Sequence, residues 1–199
     1  MVGQEPAAAI RTTLTVTVEL ERLGVPHVVA GSLASSLHGI PRSTNDVDIV
    51  AALREEHVDP LASAIESSFY ADRDMMRDAI AHQHEFNLIE LSTMFKIDIF
   101  VPPLDVVVRR ELERGCAMVV DQERNLAMRI ASPEDTIAQK LRWYRLGHEI
   151  SERQWADAQG VLVIQRGKLD TAYLLETAAA LGVSDLLERA MLEADASQP

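Results

Sequence analysis

Asp46 and Asp48 stand two residues apart in the stretch STNDVDIV, with Val47, Ile49 and Val50 beside them. An apolar, β-branched setting of this kind reads as a strand, and in a strand residues i and i+2 project from one face. Two carboxylates on one face repel each other unless a cation neutralises them. A hard divalent cation such as Mg²⁺ accepts carboxylate and phosphate oxygens together. A third carboxylate, Asp98, lies in KIDIF, where the alternation repeats: Ile97 and Ile99 face one way, Asp98 the other with Lys96 and Phe100. If the two strands are neighbours, three carboxylates converge. That is enough for two ions about 3.5–4 Å apart, an arrangement that supports in-line displacement at phosphorus.

Upstream, Gly31 and Ser32 follow the short apolar run PHVVA. A glycine at a strand-to-helix turn allows close backbone approach, and a helix N-terminus offers free N–H groups to phosphate oxygens. Ser32 adds a hydroxyl. Carboxylates for a metal and a cradle for phosphates together describe a nucleoside-triphosphate site. Arg42, in the loop before Asp46, can serve a phosphate or pair with a carboxylate such as Asp46.

The elements that must position these residues follow from periodicity and punctuation. Residues 5–23 read as a helix ended by Gly24, 26–30 as a buried strand, and 32–38 as a short helix capped by Ser32 and stopped by Gly39. A second strand is expected at 44–50, and 59–70 with 72–81 read as one or two helices. Strands at 86–91 and 96–101 suit a hairpin, a helix follows at 104–114, and a last strand pair at 117–130. Ser132-Pro133-Glu134-Asp135 is a helix start, with Ser132 as cap and Asp135 at the capping-box position. Helices at 134–146, 152–165, 171–181 and 185–194 complete the chain, with Gly147, Gly167 and Gly182 as stops. Sheet first and helices last predict an α+β fold: a small mixed sheet flanked by helices in a lobe over 1–130, and a helical C-terminal region over 131–199 packed on it.

Composition narrows the function. A length of 199 residues with 47% apolar residues suffices to bury a core, which suits a globular protein. A net charge of −12 argues against a surface built to grip nucleic acid without regard to sequence, although a local basic patch could hold a tRNA end or a nucleotide. No apolar run reaches the roughly 20 residues that span a bilayer, so no membrane partner is expected. MVGQEPAAAIR lacks a basic region followed by an apolar core, and the single cysteine, Cys116, cannot form an internal disulfide. A cytoplasmic location is the expectation from both. His82 and His84 lack a further Cys or His at ligand spacing, which leaves a zinc reading thin. His38 is expected to pack or cap, and Trp143 and Trp155 to be packing residues of consecutive helices.

A Gly-Ser turn, a short helix, an Asp-x-Asp flanked by apolar residues and a later Asp on a strand resemble the DNA polymerase β-like nucleotidyltransferases. The form GSLASSLHGIPRSTNDVDIV is similar to the minimal branch that contains the AbiEii-type abortive-infection toxins. Gly39, Arg42, Thr44, Asp46 and Asp48 match its Gly-x-x-Arg-x-Thr-x-Asp-x-Asp element. The resemblance implies a nucleotidyltransferase fold over about residues 24–165. It makes Asp46, Asp48 and Asp98 the ligands of Mg²⁺ or Mn²⁺, with Asp98 also a base for the incoming nucleophile. It makes Lys140, in SPEDTIAQKL, a neutraliser of triphosphate charge. Gly31, Ser32, Arg42, Thr44 and Asp157, in SERQWADAQG, become nucleotide-binding residues; Asp157 could equally pair with Arg153 on its own helix face. The implied activity is transfer of a nucleoside monophosphate from a triphosphate to a tRNA, protein or small-molecule acceptor, with release of pyrophosphate. The alternative is a catalytically silent binding module with a cognate toxin or antitoxin as partner.

Overall fold

The computed structural model describes residues 5–121 and 126–196, and the chain divides into two compact units. The first four residues of the N-terminal stretch, and the turn expected within 117–130, lie outside the described residues. One unit comprises residues 1–30 and 43–130, the other residues 31–42 and 131–199.

The first unit carries a mixed seven-stranded sheet. Its strands are β1 (His27–Ala30), β2 (Asp46–Ala51), β3 (Phe69–Tyr70), β4 (Glu85–Glu90), β5 (Lys96–Phe100), β6 (Cys116–Asp121) and β7 (Leu126–Ile130), in the order β3-β4-β5-β2-β1-β7-β6. β2 runs parallel to β5 and antiparallel to β1, while β4 and β5 form the expected antiparallel hairpin. Strict alternation explains the pairing. Val47, Ile49, Ile97 and Ile99 are wholly buried, and the polar residues between them take the opposite face. A one-residue slip of either strand would bury its carboxylates, so the hydrophobic pattern fixes the register.

Helices α1 (Glu5–Arg22), α3 (Glu55–Ile65), α4 (Arg73–His82) and α5 (Val106–Arg114) belong to this unit. The helix expected over 59–70 instead spans Glu55–Ile65, and Phe69–Tyr70 forms an edge strand on β4. The chain begins a turn earlier because Glu55 and Glu56 suit a helix N-terminus and the His57 ring accepts the Arg54 N–H at 3.0 Å. A two-residue strand is too short to leave a periodic signal; buried Phe69 anchors it.

The second unit is helical: α2 (Gly31–His38), α6 (Pro133–Leu146), α7 (Glu152–Ile164), α8 (Thr171–Ala180) and α9 (Ser184–Ala196). Its core gathers Ile137, Leu141, Val161, Leu174, Leu186 and Leu187, all nearly or wholly buried. Ser132 caps α6 as expected: its hydroxyl accepts the Asp135 N–H at 3.0 Å and donates to the Asp135 carboxylate at 2.6 Å. α2 is held against α6 and α7 by side-chain bonds to backbone carbonyls. His38 Nε2 donates to the Ala131 carbonyl at 2.8 Å, and Gln165 donates to the His38 carbonyl at 2.7 Å. Gly39 is required where α2 meets α7, because a Cβ there would lie 2.8 Å from the Gly160 and Val161 backbone. Trp155 packs on this core, with the Arg189 guanidinium 3.8 Å over its ring, whereas Trp143 is half exposed rather than a core residue. No helix among the described residues is long and apolar enough to cross a membrane.

Candidate active site

The carboxylate face belongs to the first unit. Asp48 and Asp98 are register partners on parallel neighbours, and Asp46 is the partner of Lys96 one repeat earlier. All four residues therefore emerge from one side of the sheet. On the flanking strands Ala30 is opposite Asp48 and Asn87 opposite Asp98. Ala30 leaves room above Asp48, since its side chain ends at Cβ.

Lys96 is a counter-ion on this face. Its ammonium lies 2.7 Å from Asp98 Oδ2. The hydrogen bond it donates to Asp98 is the main cause that holds the Lys96 ammonium above the ordinary lysine range. Partial desolvation opposes it, and the charges of Asp98, Asp46 and Asp48 add to it. The sequence placed Lys96 on this face without assigning it a role; its position two residues before Asp98 was the available signal. Thr44 buttresses Asp46. Its hydroxyl donates to the Asp46 carbonyl at 2.8 Å, with Oδ1 also within reach at 3.2 Å. The carboxylates of Asp46, Asp48 and Asp98 on one face form an oxygen-rich donor set, which fits a hard divalent cation.

The remaining candidate residues gather in the second unit. Gly31 opens α2 with φ +58°, a conformation open to glycine without a Cβ penalty. Ser32 lies inside the helix rather than at its cap, and its hydroxyl accepts from Arg42 at 2.6 Å. Arg42 grips Asp157 with two bonds of 2.8 Å, from Nε to Oδ1 and from a terminal nitrogen to Oδ2. Lys140 reaches the same Oδ2 at 2.7 Å. The Asp157 and Lys140 side chains are 6% and 5% exposed, and that of Arg42 is 26% exposed. Burial alone would raise the Asp157 carboxyl. Hydrogen bonds from Arg42 and Lys140, with their charges, outweigh it and hold the group below the usual carboxylate range. Of the alternatives the sequence left open, Arg42 pairs with Asp157 rather than Asp46.

Among the described residues, a group of three whose ligand atoms all lie within 4.8 Å of one another occurs at Asp78, His82 and His84. Asp78 was missed by the sequence reading, although its spacing of four from His82 on a helix was the signal.

No family model and no curated protein matches this chain. Solved structures do. One is an antigenic nucleotidyltransferase-like protein from Paracoccidioides brasiliensis, at 17% identity and a TM-score of 0.55, with 92% of each chain covered. Another is ANT(2″)-Ia in complex with adenylyl-2″-tobramycin, at 12% identity and a TM-score of 0.54, covering 87% of this chain and 96% of that one. At such identities the likeness is one of architecture, and it shows that this chain has a nucleotidyltransferase-like α+β fold.

Proposed function

We propose that the protein is a metal-dependent nucleotidyltransferase, which moves a nucleoside monophosphate from a triphosphate to an acceptor and releases pyrophosphate. The observation that carries this reading is the register of β2 and β5, which sets Asp98 beside Asp48 on the face that Asp46 shares. Asp46, Asp48 and Asp98 would hold Mg²⁺ or Mn²⁺, which supplies charge neutralisation to the phosphates when bound. Asp98 is the candidate base for the acceptor hydroxyl, since a carboxylate on the same face can take its proton. Thr44 positions Asp46. Gly31 and Ser32 offer α2 N-terminal amides and a hydroxyl to phosphate oxygens. Arg42 adds positive charge there, and Asp157 and Lys140 orient its guanidinium. Catalysis would come from positioning and charge stabilisation, as in other phosphoryl transfers.

The acceptor class we favour is a small molecule with a free hydroxyl. The ANT(2″)-Ia structure is a complex with adenylyl-2″-tobramycin, and a net charge of −12 disfavours a polyanionic acceptor such as tRNA. A protein hydroxyl is the next candidate. The AbiEii-type branch, with a toxin or antitoxin partner, rests on the match at Gly39, Arg42, Thr44, Asp46 and Asp48.

Incubation with α-labelled triphosphates, Mg²⁺ and an acceptor panel tests the reading. Pyrophosphate release with label transfer, abolished in Asp46→Ala and Asp48→Ala, is expected. Saturable triphosphate binding with no release across the panel would instead identify a silent binding module.

A further inference from the structure

Away from the carboxylate face, α4 ends in a cluster that the proposed reaction does not use. Asp78 and His82 are four residues apart on the last turn of α4, so their side chains share a face. Gln83 then takes a left-handed conformation, φ 57°, and the His84 N–H bonds the Ala79 carbonyl at 3.1 Å. That turn folds His84 back over Asp78. His82 Nδ1 lies 2.9 Å from Asp78 Oδ1, His84 Nε2 lies 2.9 Å from Oδ2, and the two rings stack at 6.2 Å between centroids.

We infer that Asp78, His82 and His84 form a zinc-type metal site, with the two imidazole nitrogens and one carboxylate oxygen as ligands and a fourth position open to solvent. The donor set is one that Zn²⁺ prefers over Mg²⁺. Without an ion the facing nitrogens are donors: His84 Nε2–H donates to Asp78 Oδ2, and His82 Nδ1 lies within reach of both Asp78 Oδ1 and the Asp78 backbone carbonyl, at 3.1 Å. A bound ion would take the place of those protons, while the His84 Nδ1–H bond to the Glu85 carbonyl, 2.8 Å, would orient that ring. Metal-bound histidines are oriented by this kind of carbonyl bond. Ligands about 2.0–2.1 Å from a tetrahedral ion stand roughly 3.3 Å apart; the three ligand atoms here lie within 4.8 Å of one another, with each nitrogen on a different oxygen of Asp78, so they must draw together by up to about 1.5 Å. The side chains are exposed and can rotate by that amount. An open depression of about 290 Å³, lined by Asp74, Met75, Asp78, His84 and Glu85, leaves space beside the ligands for water or an external group. The ion would tie the end of α4 to the start of β4.

The test uses the full chain, stripped with a chelator and titrated with Co²⁺ as a spectroscopic stand-in for Zn²⁺ in the presence of excess Mg²⁺. Tetrahedral cobalt absorption bands that saturate at one equivalent, and that Zn²⁺ abolishes, are expected. Asp78→Asn and His84→Ala should each weaken binding at least tenfold, while the double variant Asp46→Ala, Asp48→Ala keeps the bands. Circular dichroism of the variants, matched to the parent, establishes that the loss is local. Absence of saturable bands, or bands that persist in His84→Ala, overturns the assignment.

Discussion

The Arg42–Asp157–Lys140 cluster makes an asymmetric prediction that ordinary salt-bridge counting does not. Asp157→Asn removes a carboxylate that faces two cationic side chains, of which Lys140 is 5% exposed. Stripping a partner from a buried ion pair costs about 3–5 kcal/mol, because a charge is left without compensation in a poorly solvating site. For a chain of 199 residues, each kcal/mol moves the melting temperature by roughly 2–4 °C, so the expected fall is about 6–20 °C. Lys140→Met is different. It leaves the two-pronged Arg42–Asp157 pair intact and replaces a desolvated ammonium by an apolar chain of similar length. Because Asp157 keeps Arg42 as its partner, no uncompensated buried charge is left, and a smaller change of about 1 kcal/mol is expected. The pH dependence checks the cause. Asp157 titrates below its unfolded value, so its contribution is complete above the unfolded carboxylate pKa of about 3.9 and is lost as pH falls through the lower folded value. The gap between parent and Asp157→Asn should therefore close in strong acid. Thermal unfolding followed by circular dichroism at pH 7, repeated down to about pH 2, reads all of this. An Asp157→Asn protein within about 2 °C of the parent, or a Lys140→Met protein equally damaged, would refute the reasoning.

Three other outcomes follow from particular contacts. Lys96→Met removes the ammonium that competes for Asp98; with its charge largely screened by solvent, about 1 kcal/mol remains, so the Mg²⁺ concentration for half-maximal pyrophosphate release should fall roughly fivefold. Gly39→Ala puts a Cβ 2.8 Å from the Gly160 and Val161 backbone, and urea unfolding should show a loss of about 1–3 kcal/mol. His27 and His38 are both held below the usual histidine range, chiefly by burial, against backbone hydrogen bonds to Val25 and Ala131 that pull the other way. The unfolded chain then binds protons more readily, so stability is flat above pH about 6.5 and declines as pH drops below it. His38→Gln, which keeps an N–H for the Ala131 carbonyl, should flatten that decline in urea midpoints measured between pH 7.5 and 5.

Much of the sheet was legible because two short stretches carry an apolar residue at every second position, although Val50 and Phe100, on the other face, are apolar too. In DVDIVA and KIDIF every second residue is apolar, and those residues are the buried ones. The facing of Asp46, Asp48 and Asp98 follows from that period. Their adjacency does not, because β2 and β5 are parallel and the chain passes through α3, β3, α4 and β4 before returning. Periodicity describes one strand at a time and is silent about its neighbour. The helical unit was legible in outline, since caps and glycine stops are local signals, as Ser132 shows. Its polar centre was not. Arg42 and Asp157 are 115 residues apart, and spacing alone offers Asp46 and Arg153 as nearer partners.

That failure has a physical source. Local reading pairs charges by sequence distance because exposed pairs form wherever chains happen to meet, and such pairs are worth little. Buried charges obey a stricter condition: each must find a partner or stay unburied. Lys140 lies on a helix face that the apolar pattern assigns to the core, between Ile137 and Leu141, both wholly buried. A lysine committed to that face requires a carboxylate from another element. Asp157 occupies the matching position on α7, beside the buried Ala158 and Val161. The same condition, applied to every charged residue on a predicted core face, would have paired these two before any coordinates, and Arg42 would then remain the residue whose partner only the fold reveals.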